Sequence, residues 1–519
     1  MYPGAHAATT PDKPAVIMAG TGQTVTFAEL ESRSIRIARH LHALGLRRGD
    51  HVAVLATNTP AIFDIYWAAM RSGLYLTMAN WHLTPPEIAY IVEDCGAKAL
   101  IVDAALDAVA RDLPALTPAT EHRLAFGGTI PGHDSLDRAA AAESDVPLPD
   151  QPRGADMLYS SGTTGRPKGI KPELPARQIQ EPGDTMTGMN ATVWGVTPDT
   201  VYLSPAPLYH AAPLRTCASV QALGGTVVVM DRFDAEQALA YIEQYHVTYS
   251  QWVPTMFVRM LKLPAETRQK YDVSSLRGAV HAAAPCPVDV KRQMIEWWGP
   301  ILSEYYSSTE LNGMTLVNSD EWLRKPGTVG RAALGVAHIC GDDGADLAPG
   351  EIGTLYFERD TLPFEYHNAP AKTRDAQHPQ HPTWTTTGDV GYLDEDGYLF
   401  LTDRKSFMII SGGVNIYPQE IENTLTEHPA VLDVAVIGIP DEEMGESVLA
   451  VVQTVPGVTG DDALAGDLLD HVRGRLARFK VPRNVVFSDD LPRTPTGKLV
   501  KGTLRERYSV QVPARALPA

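Results

Sequence analysis

A chain of 519 residues is longer than one hydrophobic core serves, so several folding units are expected at about 150 residues each. Lys and Arg number 44 against 62 Asp and Glu, and the formal charge of −18 argues against nucleic acid or an anionic membrane as partner. Cys95, Cys217, Cys286 and Cys340 lie far apart without C-x-x-C spacing, which excludes a disulfide framework or zinc site as the organising feature. Met1–Lys13 has no basic region followed by an apolar one, and no stretch approaches the roughly 18 apolar residues of a transmembrane helix; a cytoplasmic location is expected.

Ala15–Met18 and Thr24–Thr26 read as a strand pair, and Thr26-Phe27-Ala28-Glu29 as a capping box. The helix it opens carries Leu30, Ile35, Ala38, Leu41 and Leu44 on one face and stops at Gly45. Val52–Ala56 is then a strand, Ala61–Arg71 a helix and Leu74–Thr77 a strand, an alternation that predicts parallel β/α layering. A second capping box, Thr84-Pro85-Pro86-Glu87, starts a helix that runs to Gly96 before the strand Ala99–Val102. Asp103–Pro152, rich in Ala, Pro and Asp with weak periodicity, reads as a surface excursion.

The stretch Tyr159-Ser160-Ser161-Gly162-Thr163-Thr164-Gly165-Arg166-Pro167-Lys168-Gly169-Ile170 has the composition of a phosphate cradle. Three glycines let backbone N–H groups converge on an anion, while hydroxyls and Lys168 add donors and positive charge. It is not a Walker A loop, because Gly169 stands where a Mg²⁺-ligating Ser or Thr belongs. Beyond it, three prolines forbid a continuous helix over Lys171–Gly183. Val201–Leu203 and Thr226–Met230 are short strands, with Pro207–Pro213 on a strand-to-helix turn between them, and Val273–Ala284 reads as a strand ending at His281-Ala282-Ala283-Ala284-Pro285. Tyr305-Tyr306-Ser307-Ser308-Thr309-Glu310 follows. Thr386–Tyr392 and Tyr398–Thr402 read as two strands joined by a turn at Gly397. Phe407–Ile410, a Ser411-Gly412-Gly413 turn, helix Pro418–Thr426 and strands Val431–Gly438 and Ser447–Val452 form a compact α+β unit. Arg473 to Lys501 is locally basic, with Arg473, Arg475, Arg478, Lys480, Arg483, Arg493 and Lys498, and reads as a face for phosphates.

Tyr159–Ile170 resembles the phosphate loop of the adenylate-forming superfamily, which includes acyl-CoA synthetases, peptide-synthetase adenylation domains and luciferases. Further matches follow in order at Pro207–Pro213, His281–Pro287, Tyr305–Glu310, Thr386–Gly397, Leu401–Glu420 and Pro492–Lys501, so the resemblance covers nearly the whole chain. It departs from the family at Ala283, where glycine is usual, and at Ser307, which replaces the glycine of Tyr-Gly-x-Thr-Glu.

The resemblance implies a large N-terminal α/β adenylation domain of layered sheets and helices, residues 1–402, and a small mobile C-terminal α+β domain, 403–519. It implies ATP, Mg²⁺ and coenzyme A as cofactors and a small carboxylic acid as substrate. Ser160, Ser161, Gly162, Thr163, Thr164, Gly165 and Lys168 would hold the β- and γ-phosphates. Ala283, Ala284 and Pro285 would pack on the adenine, and the Tyr305, Tyr306, Ser307 and Ser308 segment would wall it, with Tyr306 stacking. Thr309 would bond the α-phosphate, Glu310 ligate Mg²⁺, and Asp389 with Arg404 hold the ribose diol. His210 would border the acyl site, Lys498 bridge carboxylate and α-phosphate, and Gly412 and Gly413 line the pantetheine passage. The reading is an ATP-dependent acyl-CoA ligase for an apolar, fatty or alicyclic acid, with a possible homodimer. The alternatives are an enzyme loading a carrier protein, a luciferase-like monooxygenase, and a non-catalytic nucleotide-binding relative.

Overall fold

The computed structural model describes residues 2–160, 167–404, 407–441, 444–493 and 499–509. Its largest sheet has nine strands. Pro14–Met18, Thr226–Val229, Val201–Ser204, Tyr249–Trp252, Gly278–His281 and Leu302–Ser307 run parallel as neighbours. Antiparallel Thr24–Thr26 closes one edge, and Met314–Asn318 followed by Arg331–Leu334 closes the other. A second, wholly parallel sheet has six strands, in the order Asp134–Ser135, His122–Phe126, Ala97–Asp103, His51–Leu55, Tyr75–Ala79, Ala155–Asp156.

Helices Phe27–Ala43, Ala61–Met70 and Ala211–Ala222 fill the space between these sheets, and one continuous core joins Val52, Val54 and Leu76 of the second sheet to Tyr202, Val227 and Val229 of the first. Helix Ala61–Met70 is buried from Ile62 onward because both sides of it face protein, which is why its sequence is apolar all round rather than striped. Both expected capping boxes are present, Thr26 with Glu29 and Thr84 with Glu87.

A third sheet, antiparallel, is built from Val336–Cys340, Gly353–Glu358, Asp389–Leu393 and Leu399–Arg404, with Trp384–Thr385 beside Gly353–Glu358. The C-terminal unit centres on the long hairpin Val431–Asp441 with Gly445–Thr454, flanked by the hairpin Ile409–Ser411 with Val414–Ile416 and by Asn484–Phe487. Helices Pro418–Thr426, Asp462–Arg473 and Lys501–Ser509 cover it. Among the described residues no helix is long and apolar enough to cross a membrane.

Two expectations are corrected. Asp103–Pro152 is not merely a surface excursion: His122–Phe126 and Asp134–Ser135 extend the parallel sheet, and the buried run Leu124-Ala125-Phe126 is too short to show a period. The strand foreseen over Val273–Ala284 is confined to Gly278–His281, since Asp272 Oδ1 accepts from Ser274 N–H at 2.9 Å and Ser275 Oγ donates to Val247 O at 2.8 Å, turning the chain before the ladder begins. Lys171–Gly183 contains no helix, as its prolines require; the next helix, Thr185–Thr192, starts on the Asp184 cap.

One buried carboxyl gives the core a measurable pH dependence. Asp64 on helix Ala61–Met70 lies 3.9 Å from Arg33, yet burial outweighs that attraction and pushes its pKa up to about 8. The folded protein therefore holds a proton that the unfolded chain releases above its ordinary value of 3.8, and stability falls with rising pH between these two values. Relative to Asp64→Asn, the wild type should lose about 1 kcal/mol per pH unit between pH 5 and 7.5 in urea denaturation. Parallel curves for the two proteins would mean that the folded carboxyl is ionised.

Candidate functional site

A cavity of about 230 Å³ opens where the carboxyl ends of the nine-stranded sheet meet the third sheet and the C-terminal unit. Its walls include Ala283, Ala284 and Pro285 beyond the end of strand Gly278–His281, Tyr305, Tyr306 and Ser307 from the adjacent strand, and Asp389 and Asp403 from the third sheet. Arg493, Leu499 and Lys501 close it from the C-terminal side. Ligand sites form at the carboxyl ends of parallel strands because the connecting loops diverge there. Ala283 has φ +76°, in the left-handed region where a β-carbon is strained. Alanine in place of the usual glycine thus adds strain as well as a methyl group.

The Tyr306 hydroxyl donates to Asp389 Oδ2 at 2.6 Å and Thr387 Oγ1 donates to the same oxygen at 2.9 Å. Asp389 and Arg404 are directly opposed across the antiparallel ladder, so two candidates fifteen positions apart in sequence are neighbours in space. Tyr306 also stacks on Phe357, with ring centroids 6.3 Å apart.

Behind Tyr305 lies a polar lattice that no motif announced. Gln251 Nε2 donates to the Tyr305 hydroxyl at 2.7 Å, and Thr216 donates to Gln251 Oε1 at 2.9 Å. Burial pushes the Tyr305 hydroxyl up to about 12. Arg215, two residues beyond the Pro207–Pro213 motif, pairs with Asp156 at 2.6 Å. His210 is the N-cap residue of helix Ala211–Ala222, its ring 4.4 Å from that of Tyr209. Beneath the Ala283 loop, Lys291 and Glu304 form a fully enclosed ion pair at 2.5 Å. His281 lies 3.5 Å from Glu304 with neither ring nitrogen hydrogen-bonded, and burial, reinforced by the Lys291 charge, holds its pKa well below the ordinary value.

Ser161, Gly162, Thr163, Thr164 and Gly165 lie outside the described residues, but the two feet of their loop are defined. Ser160 pairs with Lys168 in an antiparallel hairpin. Tyr159 donates to Asp94 Oδ2 at 2.6 Å, and Tyr90 donates to Pro167 O at 3.2 Å, tying the feet to helix Pro85–Asp94. Gly169 is required by close packing: a β-carbon there would lie 2.6 Å from Met157 Cε and 2.9 Å from Tyr159 Cζ. Lys168 Nζ sits 4.5 Å from the centre of the Tyr366 ring, and the Tyr366 hydroxyl donates to Glu310 Oε1 at 2.8 Å. Burial, then the nearby Lys372, lower the Lys168 pKa against the opposing pull of Glu310 and Asp375. Thr309 is half-buried beside Glu310, Ser308 donates to Asn312 Oδ1 at 2.9 Å, and Ser307 donates to Gly313 O at 2.7 Å.

Gly412 and Gly413 form a hairpin tip with φ +56° and +78°, the conformation of a two-residue turn, and are not part of the cavity wall. A β-carbon on Gly412 would collide with Met444 Cε, whereas Gly413 faces open space. Lys498 lies outside the described residues; Arg493 and Leu499, on either side of its loop, pair in a β-bridge and line the cavity. The basic face expected from Arg473 to Lys501 is largely neutralised. Arg473 pairs with Asp470, Arg475 with Glu427, Lys480 with Glu420, Arg483 with Asp441 and Arg493 with Asp433, and four of those five acids come from 420–441, remote in sequence.

Among the described residues no group of three or more His, Cys, Asp or Glu could hold a metal ion, so a dedicated protein cage is not formed there. Glu310 is a buried single carboxylate, which fits a Mg²⁺ that takes its remaining ligands from phosphates and water. Fold and cavity together define a nucleotide-using enzyme in which a layered α/β body and a small α+β unit share one site.

The comparisons with known proteins specify the family. A family model described as AMP-binding enzyme matches residues 4–366, and one described as AMP-binding enzyme C-terminal domain matches 420–498. The chain is 33% identical to the long-chain-fatty-acid–CoA ligase FadD13 of Mycobacterium tuberculosis, over 98% of both chains. It is 33% identical to the fatty acid–[acyl-carrier-protein] ligase ScoC of Streptomyces coeruleorubidus, over 97% of this chain and 95% of that one. ATP-bound MatB from Rhodopseudomonas palustris superposes with a TM-score of 0.81 at 31% identity, and its apo form with 0.71 at 30%, each over 98% of this chain and 99% of that one. The chain belongs to the adenylate-forming AMP-binding enzymes, in the acyl-CoA synthetase branch. It is an AMP-forming acid–thiol ligase.

Asp389→Ala removes the acceptor to which Tyr306 and Thr387 both point. With Asp389 as the acceptor that the resemblance assigns to the ribose diol, its loss should raise the Michaelis constant for ATP roughly ten- to hundredfold. An unchanged constant would reduce Asp389 to a structural acceptor.

Proposed function

We propose that this enzyme activates an apolar carboxylic acid, fatty or alicyclic, as its acyl-adenylate and transfers the acyl group to the thiol of coenzyme A. The observation that carries the adenylation step is the cavity at which the Ala283–Pro285 loop, Tyr306 and Asp389 converge with the two feet of the Lys498 loop. A carboxylate resists attack because oxide is a poor leaving group, and joining it to the α-phosphate of ATP supplies a better one. Negative charge grows on phosphate oxygens in that step, so fixed donors and cations lower its barrier. Lys168 and the Ser160–Thr164 donors hold the β- and γ-phosphates, Thr309 bonds the α-phosphate, and Lys498 bridges the carboxylate to it. Asp389 and Arg404 orient the ribose. Glu310 would hold a Mg²⁺ that neutralises the departing pyrophosphate.

The apolar acid is supported by charge balance near Tyr305 and by the name of the fatty-acid relatives. Arg215, whose charge acts on Tyr305, is paired with Asp156 at 2.6 Å, and two relatives are named for fatty acids. A carrier protein is the second acceptor to consider, because one relative of equal identity is named for it.

The two halves of the reaction divide over residues 1–402 and 403–519, with Asp403 as hinge. Asp403 still pairs with Val390 in the third sheet while its Oδ2 accepts from Gln419 N–H at 3.2 Å, at the start of helix Pro418–Thr426. The higher likeness to ATP-bound than to apo MatB supports reading this arrangement as the adenylating one. Rotation about Asp403 then exchanges the Lys498 loop for the Gly412–Gly413 hairpin.

A pyrophosphate-release assay over a panel of mono-, di- and amino acids should favour apolar monocarboxylates, and thioester formation should require CoA rather than a carrier protein. Preferred turnover of a dicarboxylate or an α-amino acid would overturn the substrate assignment, and excess chelator should abolish release. Lys498→Ala should slow adenylate formation by about 10²–10³ while a supplied acyl-adenylate still yields thioester. Gly413→Leu should spare pyrophosphate release and block thioester formation; equal loss of one half-reaction in both variants would refute the alternation.

A further inference from the structure

Tyr366 belongs to none of the motifs read from the sequence, yet it touches two of the groups assigned to the polyphosphate end of ATP. Its hydroxyl donates to Glu310 Oε1 at 2.8 Å, and Lys168 Nζ lies 4.5 Å from the centre of its ring. The backbone that carries the ring is fixed by three contacts. Tyr366 N–H donates to Thr373 Oγ1 at 2.9 Å, Tyr366 forms a β-bridge with Ile170, and the next residue, His367, donates its N–H to Gly169 O at 2.8 Å. Ile170, Phe364, Tyr366 and Ala376 form a separate small apolar cluster, with Phe364 edge-on to Tyr366 at 5.1 Å. The segment 364–376 is thus clamped to the strand that leaves the phosphate loop.

We propose that Tyr366 is a positioning residue that couples the phosphate-binding Lys168 to the metal-binding Glu310, so that cation and carboxylate are set in register before MgATP arrives. This rests on the roles proposed above for those two residues. A buried carboxylate without a donor is costly, and Tyr366 holds one oxygen of Glu310 while leaving the carboxylate charge to meet a cation. A phenol donating to a carboxylate becomes richer in electrons, which deepens the attraction of its face for the Lys168 ammonium. The two contacts strengthen each other through one ring. The lysine is kept near the carboxylate without the direct ion pair that would have to be broken when phosphate binds between them.

The test is calorimetric titration of ATP into enzyme without acid or CoA, once with Mg²⁺ and once with EDTA, which reads binding rather than turnover. Tyr366→Phe keeps the ring and loses the hydroxyl. It should bind ATP in EDTA within about twofold of wild type, while the gain in affinity conferred by Mg²⁺ falls about tenfold. In a Glu310→Gln background the same change should cost nothing further, whereas a tyrosine that merely packs would cost the same in both backgrounds. Tyr366→Leu should lose an additional three- to tenfold in EDTA, as Lys168 loses its platform; if that variant fails to fold, Tyr366→Phe decides alone.

Wild-type behaviour of Tyr366→Phe in both media, or an undiminished cost in the Glu310→Gln background, overturns the coupling. Lys168→Ala and Glu310→Gln serve as references. If these leave MgATP affinity unchanged, the assigned roles of the two residues fail; if they weaken it and Tyr366→Phe does not, only the tyrosine is refuted.

Discussion

The arrangement of the cavity depends on one antiparallel ladder, between Asp389–Leu393 and Leu399–Arg404. Its first strand sets the carboxylate that accepts from Tyr306, and so ties the third sheet to the end of the nine-stranded sheet. Its second strand brings Arg404 opposite Asp389 and carries Asp403, the last acidic residue before the chain enters the C-terminal unit. A turn at Gly397, with φ +77°, fixes the register. A slip of one residue would exchange the faces of all these side chains, so cavity wall and interdomain connection stand or fall together.

Much of the architecture was legible in the sequence because local signals and the fold agree. The capping boxes at Thr26 and Thr84, the strand-to-helix turn before Ala211, and the prolines of Lys171–Gly183 each act within a few residues, and each has its expected result. Asp103–Pro152 hides its strand because only Leu124, Ala125 and Phe126 of the five residues are buried, too short a run to show a period. The site divides in the same way. Motif residues such as Tyr306 and Asp389 are brought together, while Tyr366, Gln251, Lys291 and Arg215 stood outside every signature and meet the site through contacts that span 13 to 59 positions.

Those residues show how the protein keeps polar groups around the cavity. Lys291 and Glu304 are enclosed as a pair, and removing either partner would strand a charge where water cannot reach it. His281 beside them is held neutral, so the strand that ends in the Ala283 loop does not carry a third buried charge. The strain at Ala283 lies two residues beyond His281, in the loop proposed to lie against the base.

The neutralised basic stretch bears on the motion of the small unit. Arg473, Arg475, Lys480, Arg483 and Arg493 all find their acids within that unit. Those five pairs are completed inside the unit, so in the swing proposed above they would travel with it as cargo instead of acting as latches. A unit wired in this way would change partners on the larger body without breaking any of those five bonds. The two proposed poses would then differ in these five pairs not at all, leaving the covered surfaces and bound ligands to set the direction of the swing.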